Sequence, residues 1–141
     1  MRPSALFPAP SSVGPREWGE EIELVTAPGK YGMKLIKMRE GTRGGVQFHR
    51  LKDEAGYMLE GKLEIVYDDG DGRLVNRVVG PGDCFHFPTG AVHGAIALTD
   101  VTYIECGTHH FNDRVHVEAD YGLAEEFGGL PTTELSEIVL R

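Results

Sequence analysis

The chain has 141 residues, 40% of them hydrophobic, with 19 glycines, 8 prolines, 2 cysteines and a formal net charge of −8. This is enough for one domain with a core and short for two, and the hydrophobic share is that of a globular rather than a disordered chain. The acidic balance argues against nucleic acid as the main partner, because phosphate contacts need a basic surface, and no apolar run approaches the ~18 residues of a membrane span.

The opening "MRPSALFPAPSSVGP" is too short of apolar residues for a signal peptide, and its prolines and serines predict a flexible arm over residues 1–15. Strand signals then dominate: "EIELVTA", "YGMKLIKMR", "GGVQFHRL", "AGYMLEG", "KLEIVYDD", "RLVNRVV", "CFHFP", "AVHGAIALTD" and "VTYIECG". These short β-branched and aromatic runs are separated by turn residues such as "REGTRGG", "EGK", "DDGDG", "GPGD" and "PTG". Eight or nine strands without a helical window predict an all-β sandwich or barrel. "DDGDGR" supplies the positive-φ residues of a hairpin turn. The tail, residues 124–141, is expected to pack on the barrel or on a partner subunit, with a short helix around 121–127 and a final segment at 134–140. Cys84 and Cys106 are too few for a disulfide framework; they read as reduced, small buried hydrophobes of a cytoplasmic protein.

Two stretches carry candidate chemistry. In "VQFHRLKDEAGYMLEG", Gln47 and His49 share a strand face by the two-residue period. Glu54 can swing back toward them after the turn. An amide oxygen, an imidazole and a carboxylate suit a borderline or hard divalent ion. In "GPGDCFHFPTGAVHG", Pro88 and Gly90 end one strand tightly and His93 opens the next. Residues 30–62 carry eight Lys/Arg against four acids, which reads either as a solvated strand face or as an attraction for an anionic small molecule. His86, between Phe85 and Phe87, alternates to the outside if the phenylalanines fill the barrel.

The two stretches resemble the paired motifs of the cupin superfamily, G-x5-H-x-H-x3,4-E-x6-G and G-x5-P-x-G-x2-H. Gln47 replaces the first histidine, and His49, Glu54, Gly61, Gly82, Pro88, Gly90 and His93 fall in register. The Gln variant is similar to the cupin domain of type II phosphomannose isomerases. That family opens with R-P-W-G, echoed by Arg16, Glu17, Trp18 and Gly19, and ends in D-D-x-V-R-x-E-D-x-Y-G-R, which here becomes "NDRVHVEADYGL". His116 and Leu123 stand where that pattern has arginine, and Gly94 follows the second-motif histidine where arginine is frequent. Those losses weaken a phosphosugar assignment, because arginine is the bidentate phosphate binder.

The resemblance implies a double-stranded β-helix (jelly-roll-like cupin barrel) over residues 16–123, and one divalent ion held by Gln47, His49, Glu54 and His93. Zinc or manganese is favoured for that ion, with iron or nickel also compatible. It further implies a small-molecule substrate, a homodimer, and a metal-dependent isomerase or epimerase acting on a sugar or small polyoxygenated compound. An iron-dependent dioxygenase or lyase, and a non-catalytic metabolite-binding cupin, are the alternatives. His116, Glu105 and Lys62 are candidates for the general base. Tyr57, His109, His110 and Arg114 are candidates for substrate contact.

Overall fold

The fold was taken from a computed structural model, which describes residues 1–123 and 131–140. Eleven strands follow in order: β1 Ser11–Arg16, β2 Gly19–Ala27, β3 Tyr31–Met38, β4 Gln47–Phe48, β5 Glu54–Glu60, β6 Leu63–Asp68, β7 Leu74–Val79, β8 Cys84–Phe87, β9 His93–Ala97, β10 Val101–Thr108 and β11 Val115–His116. They form two antiparallel sheets, one ordered β1-β2-β3-β10-β5-β8 and the other β11-β4-β9-β6-β7. The all-β barrel expected from the strand spacing is what the chain builds. Among the described residues no helix is long and apolar enough to cross a membrane.

Two local differences from the sequence expectations have physical reasons. Residues 11–15, expected as part of an arm, belong to β1, which pairs with β2 from Ser11↔Glu23 to Arg16↔Gly19. Pro15 is tolerated because β1 is an edge strand with an irregularity between Ser12 and Pro15, so the missing N–H breaks no ladder. The run "GGVQFHRL" pairs only at Gln47–Phe48. Residues 49–53 form instead a loop held by Asp113 (below). A 3-10 turn spans Glu118–Tyr121; most of the helix expected around 121–127 lies outside the described residues. Within 131–140, a 3-10 turn covers Leu135–Glu137, Leu140 bridges His110, and Thr133 donates its N–H to the Arg114 carbonyl at 2.9 Å.

Directly paired residues of antiparallel strands share a face, so the register reads out the interior. Ile36, Tyr103 and Met58 form one inward row across β3, β10 and β5. The next inward row toward one end is Lys34, Glu105 and Gly56. The core cluster of Ile36, Met38, Met58, Leu63, Ile65, Val79, Ala97 and Val101 fills the other end, with Trp18, Phe85 and Phe87 against it. Along each strand the inward positions therefore grade from apolar to polar. On β5 the series is Met58, Gly56, Glu54; on β9 it is Ala97, Ala95, His93. That gradient makes one end of the barrel a polar mouth over an apolar floor.

Candidate metal centre

The mouth gathers side chains from β4, the loop after it, β5 and β9. His49 Nε2 lies 3.0 Å from Glu54 Oε1, and His93 Nε2 lies 3.2 Å from the same oxygen. The ligating atoms of the three residues are all within 4.8 Å of one another, and each residue is buried. Gln47 is the cross-strand partner of His93 and lines the same cavity.

The second nitrogen of each ring decides what the first can do. His49 Nδ1 faces the Asp113 carbonyl, and His93 Nδ1 faces the Ala91 carbonyl at 3.0 Å. A carbonyl has no proton to give, so both Nδ1 atoms carry the hydrogen, and in that neutral tautomer each ring presents an Nε2 lone pair toward one carboxylate oxygen. Three electron-rich atoms converging in a buried site repel one another unless a cation lies among them. The donor set thus fits a divalent ion, with the tautomers fixed as metal-ligating histidines need them. Phe87 stacks on the His93 ring at 3.9 Å and 10°, fixing its plane.

Around this cluster lies a chain of charges. Lys52 Nζ bridges Glu54 Oε2 and Glu105 Oε1, both at 2.9 Å, with its stem in the space left beside Gly107. Burial opposes ionisation of Glu54, but the Lys52 ammonium holds its carboxyl well below the usual range. Burial pushes the Glu105 carboxyl up, and the neighbouring Glu54 adds to this against the pull of Lys52. Burial, reinforced by Glu105 and Glu54, also pushes the Tyr103 hydroxyl up. Further along the wall Glu21 pairs with Lys34 at 2.9 Å and Arg16 at 3.0 Å. The buried Asp113 carboxylate accepts the N–H groups of Arg50, Leu51 and Lys52 at 3.1, 2.7 and 2.9 Å, clamping the loop that joins His49 to Glu54.

The cavity has a volume of about 350 Å³ and is lined by the His49–Glu54–His93 cluster, Glu105, His116 and Arg114 among others. His116 Nδ1 lies 3.2 Å from Glu118 Oε1, a buried carboxylate that also accepts the Val46 N–H. The other sequence candidates lie elsewhere. Lys62 is exposed on the β5–β6 turn at the opposite end of β5 from Glu54, with its N–H on Thr99 Oγ1. Tyr57 is 45% exposed, on the outer side of the sheet, because it is odd in the period that turns Glu54, Gly56 and Met58 inward. His109 and His110 stack on each other at 4.4 Å outside the cavity lining, and His110 Nδ1 meets Thr108 Oγ1. Cys84 and Cys106, expected buried, are exposed on that same outer side. His86 does face outward, 2.8 Å from Asp53. Lys52, Lys34 and Glu21 were not singled out from sequence, although Lys34 shares the inward period of Ile36 and Met38.

A family model described as a cupin domain matches residues 34–110. The chain belongs to the cupin family. No curated protein matches the chain. Among solved structures, this cupin is similar to KdgF from Halomonas sp. at 26% identity and a TM-score of 0.56, over 62% of this chain and 76% of that one. A sugar phosphate isomerase of the cupin superfamily from Silicibacter pomeroyi shares 25% identity at a TM-score of 0.52, over 62% and 59% of the two chains. Oxalate decarboxylase from Bacillus subtilis matches 96% of this chain but only 43% of its own, at 18% identity and a TM-score of 0.67, a likeness of fold alone.

Proposed function

We propose that this cupin holds one divalent ion, zinc or manganese before iron or nickel, on Gln47, His49, Glu54 and His93, and isomerises or epimerises a sugar or small polyoxygenated compound. The observation that carries the reading is the convergence of two Nε2 lone pairs on Glu54 Oε1 in a cavity that also contains the raised carboxyl of Glu105. When bound, the ion supplies Lewis acidity, polarising a substrate oxygen so that the adjacent C–H is more easily deprotonated. Glu105 takes that proton and returns it to the neighbouring atom or the opposite face; a carboxyl raised above its ordinary value suits both directions. His116, with Nδ1 turned to Glu118, is the second proton carrier, and Lys62 has no part. One similar structure, a sugar phosphate isomerase of the cupin superfamily, supports a sugar-related substrate without naming it.

Elemental analysis of the purified chain, joined to a panel of aldoses, ketoses and hydroxy acids incubated in heavy water, tests this. Zinc or manganese with deuterium entering the carbon beside a carbonyl is expected. Ferrous iron with oxygen uptake would move the assignment to a dioxygenase, and binding without exchange or turnover would leave a metabolite-binding module.

The outer face of the larger sheet supports a homodimer. Ile22, Leu35, Ile104 and Tyr57 pair in sequence across β2, β3, β10 and β5 and so form one apolar row on that face. A row running across the strands meets its own copy about a two-fold axis. Leu6 and Phe7, 85% and 93% exposed ahead of β1, add further apolar surface. Sedimentation of the wild type and Ile104→Glu tests the dimer, and a monomeric wild type removes it. The exposed free thiols of Cys84 and Cys106 fit a reducing, cytoplasmic setting.

A further inference from the structure

Four Lys or Arg residues line the cavity: Arg16, Lys34, Lys52 and Arg114. Arg16 and Lys34 are both neutralised by Glu21, and Lys52 by Glu54 and Glu105. Among the described residues Arg114 is the one cation of this wall whose side chain has neither a hydrogen bond nor an ion pair. A half-buried guanidinium normally finds a carboxylate, because its desolvation is otherwise uncompensated. That lack of compensation also shows in its acidity: burial pulls the guanidinium below its ordinary pKa, and the more distant Glu21 and Asp113 do not restore it.

The placement of Arg114 is set by register. On β11, Val115 pairs with Phe48 and His116 with Gln47. One step further along the same register sets Arg114 beside His49, and the two-residue period puts Arg114 and His116 on one face. The backbone there is held on both sides of the guanidinium. The Asp113 carbonyl receives His49 Nδ1, and the Arg114 carbonyl receives the Thr133 N–H at 2.9 Å. Arg114 thus follows directly on the residue whose carbonyl orients His49, just ahead of β11. A cavity of about 350 Å³ lies at the low end of the roughly 300–1,000 Å³ of small-molecule sites, which limits the ligand to a compact molecule.

We propose that Arg114 is the anchor for the anionic group of the substrate, a carboxylate or a phosphate ester. Its planar fork grips two oxygens of that group, while the rest of the molecule faces the His49–Glu54–His93 cluster. The substrate class is therefore a small acid or acidic sugar rather than a neutral sugar. This rests on the proposed function only in taking that cluster as the reacting end; the anion grip is a property of Arg114 itself.

The test is calorimetric titration of the full chain, in metal-loaded and metal-stripped forms, with inorganic phosphate, glycolate and glucose, for wild type, Arg114→Gln and Arg114→Lys. Wild type is expected to bind phosphate or glycolate and not glucose, and the better of the two anions names the source. Arg114→Gln should weaken that binding by about 10- to 100-fold, the loss of a charge-assisted bidentate pair. Arg114→Lys, which keeps charge without the fork, should fall between them. Metal content should be the same in all three. Equal anion affinity in wild type and both variants, or no anion binding by wild type, overturns the proposal. If the wild type takes up no metal but the Arg114-dependent difference persists, the anchor stands and the metal-centre reading falls.

Discussion

The two ends of this barrel are built from the same strands yet obey opposite rules. At the floor, Met58 and Leu63 are fully buried and Gly61 turns β5 into β6 at a φ of 81°. A Cβ on Gly61 would come within 2.0 Å of the Asp100 carbonyl oxygen, so the turn admits glycine alone. Everything there serves packing. At the mouth, Glu54, His49, His93, Lys52 and Asp113 are buried too, but polar. Burying like-charged or lone-pair-bearing groups costs free energy unless each is paired, and here nearly every one is. Among the described residues around the mouth, the uncompensated groups include the Nε2 lone pairs facing Glu54 Oε1, the guanidinium of Arg114 and the buried Glu118 Oε2. The apolar floor thus supplies the packing that holds a buried, polar mouth in place.

Removing a ligand should separate the two ends most sharply. His49→Ala and His93→Ala are each expected to lower bound metal by more than 100-fold, since even outer partners of metal ligands are worth about 10- to 100-fold. Elemental analysis of the folded variants checks this, and full occupancy in both would dissolve the distinction between the ends. The converse change, Met58→Ala, should cost about 2–5 kcal/mol in denaturant unfolding through the cavity it leaves, while the metal-to-protein ratio of the folded fraction stays that of wild type. A floor variant that lost metal selectively would show that the two ends are one unit.

Legibility followed the same division. Gln47, His49, Glu54 and His93 stand out in sequence through the two spaced stretches that resemble the paired cupin motifs, not through local spacing alone. The floor could be read as a barrel because alternating short strands say so directly. Tyr57 was misplaced although the information was present: counting in twos from Glu54 turns Met58 inward and Tyr57 outward, and the same parity exposes Cys84 through its pairing with Tyr57. Lys52 escaped for a different reason. A lysine is ordinarily a solvated residue, and only the carboxylates of Glu54 and Glu105, the second 53 residues away in sequence, make its burial tolerable. The edge strand β1 was hidden by prolines that an interior strand could not hold. Arg114 beside His49 depends on β11 pairing with β4 across the whole barrel, a register that no local pattern encodes.

A gentler probe acts on the loop that joins His49 to Glu54. Burial opposes ionisation of Asp113, but the N–H groups of Leu51, Lys52 and Arg50 outweigh it and hold the carboxyl below its ordinary value of 3.8. A group depressed in the folded state contributes stability that is complete above its unfolded pKa and is lost as pH falls through the folded one. Asp113→Asn should therefore be less stable than wild type by about 1–3 kcal/mol at pH 7, and the two stabilities should draw together below pH 3.8. Denaturant midpoints measured from pH 7 to pH 3 check the sign. A gap that widened in acid would mean that Asp113 is not the ionised clamp of this loop.

The smallest effect is expected at Lys62, and it is informative because the residue lies on the same strand hairpin as Glu54. Between Glu54 and Glu60 β5 runs six steps, about 20 Å at strand rise, which carries Lys62 to the floor end. Its side chain is exposed there, and only its backbone is engaged, by Thr99 Oγ1 and the Leu98 N–H. Lys62→Ala should change unfolding free energy by no more than about 0.5 kcal/mol, leave metal content untouched, and leave any turnover unchanged. A lysine amine acting as general base would instead lose most activity on truncation. Loss of turnover with intact metal would place chemistry at the floor and reverse the assignment of the two ends. Unchanged turnover would confine proton transfer to the residues of the mouth, Glu105 and His116.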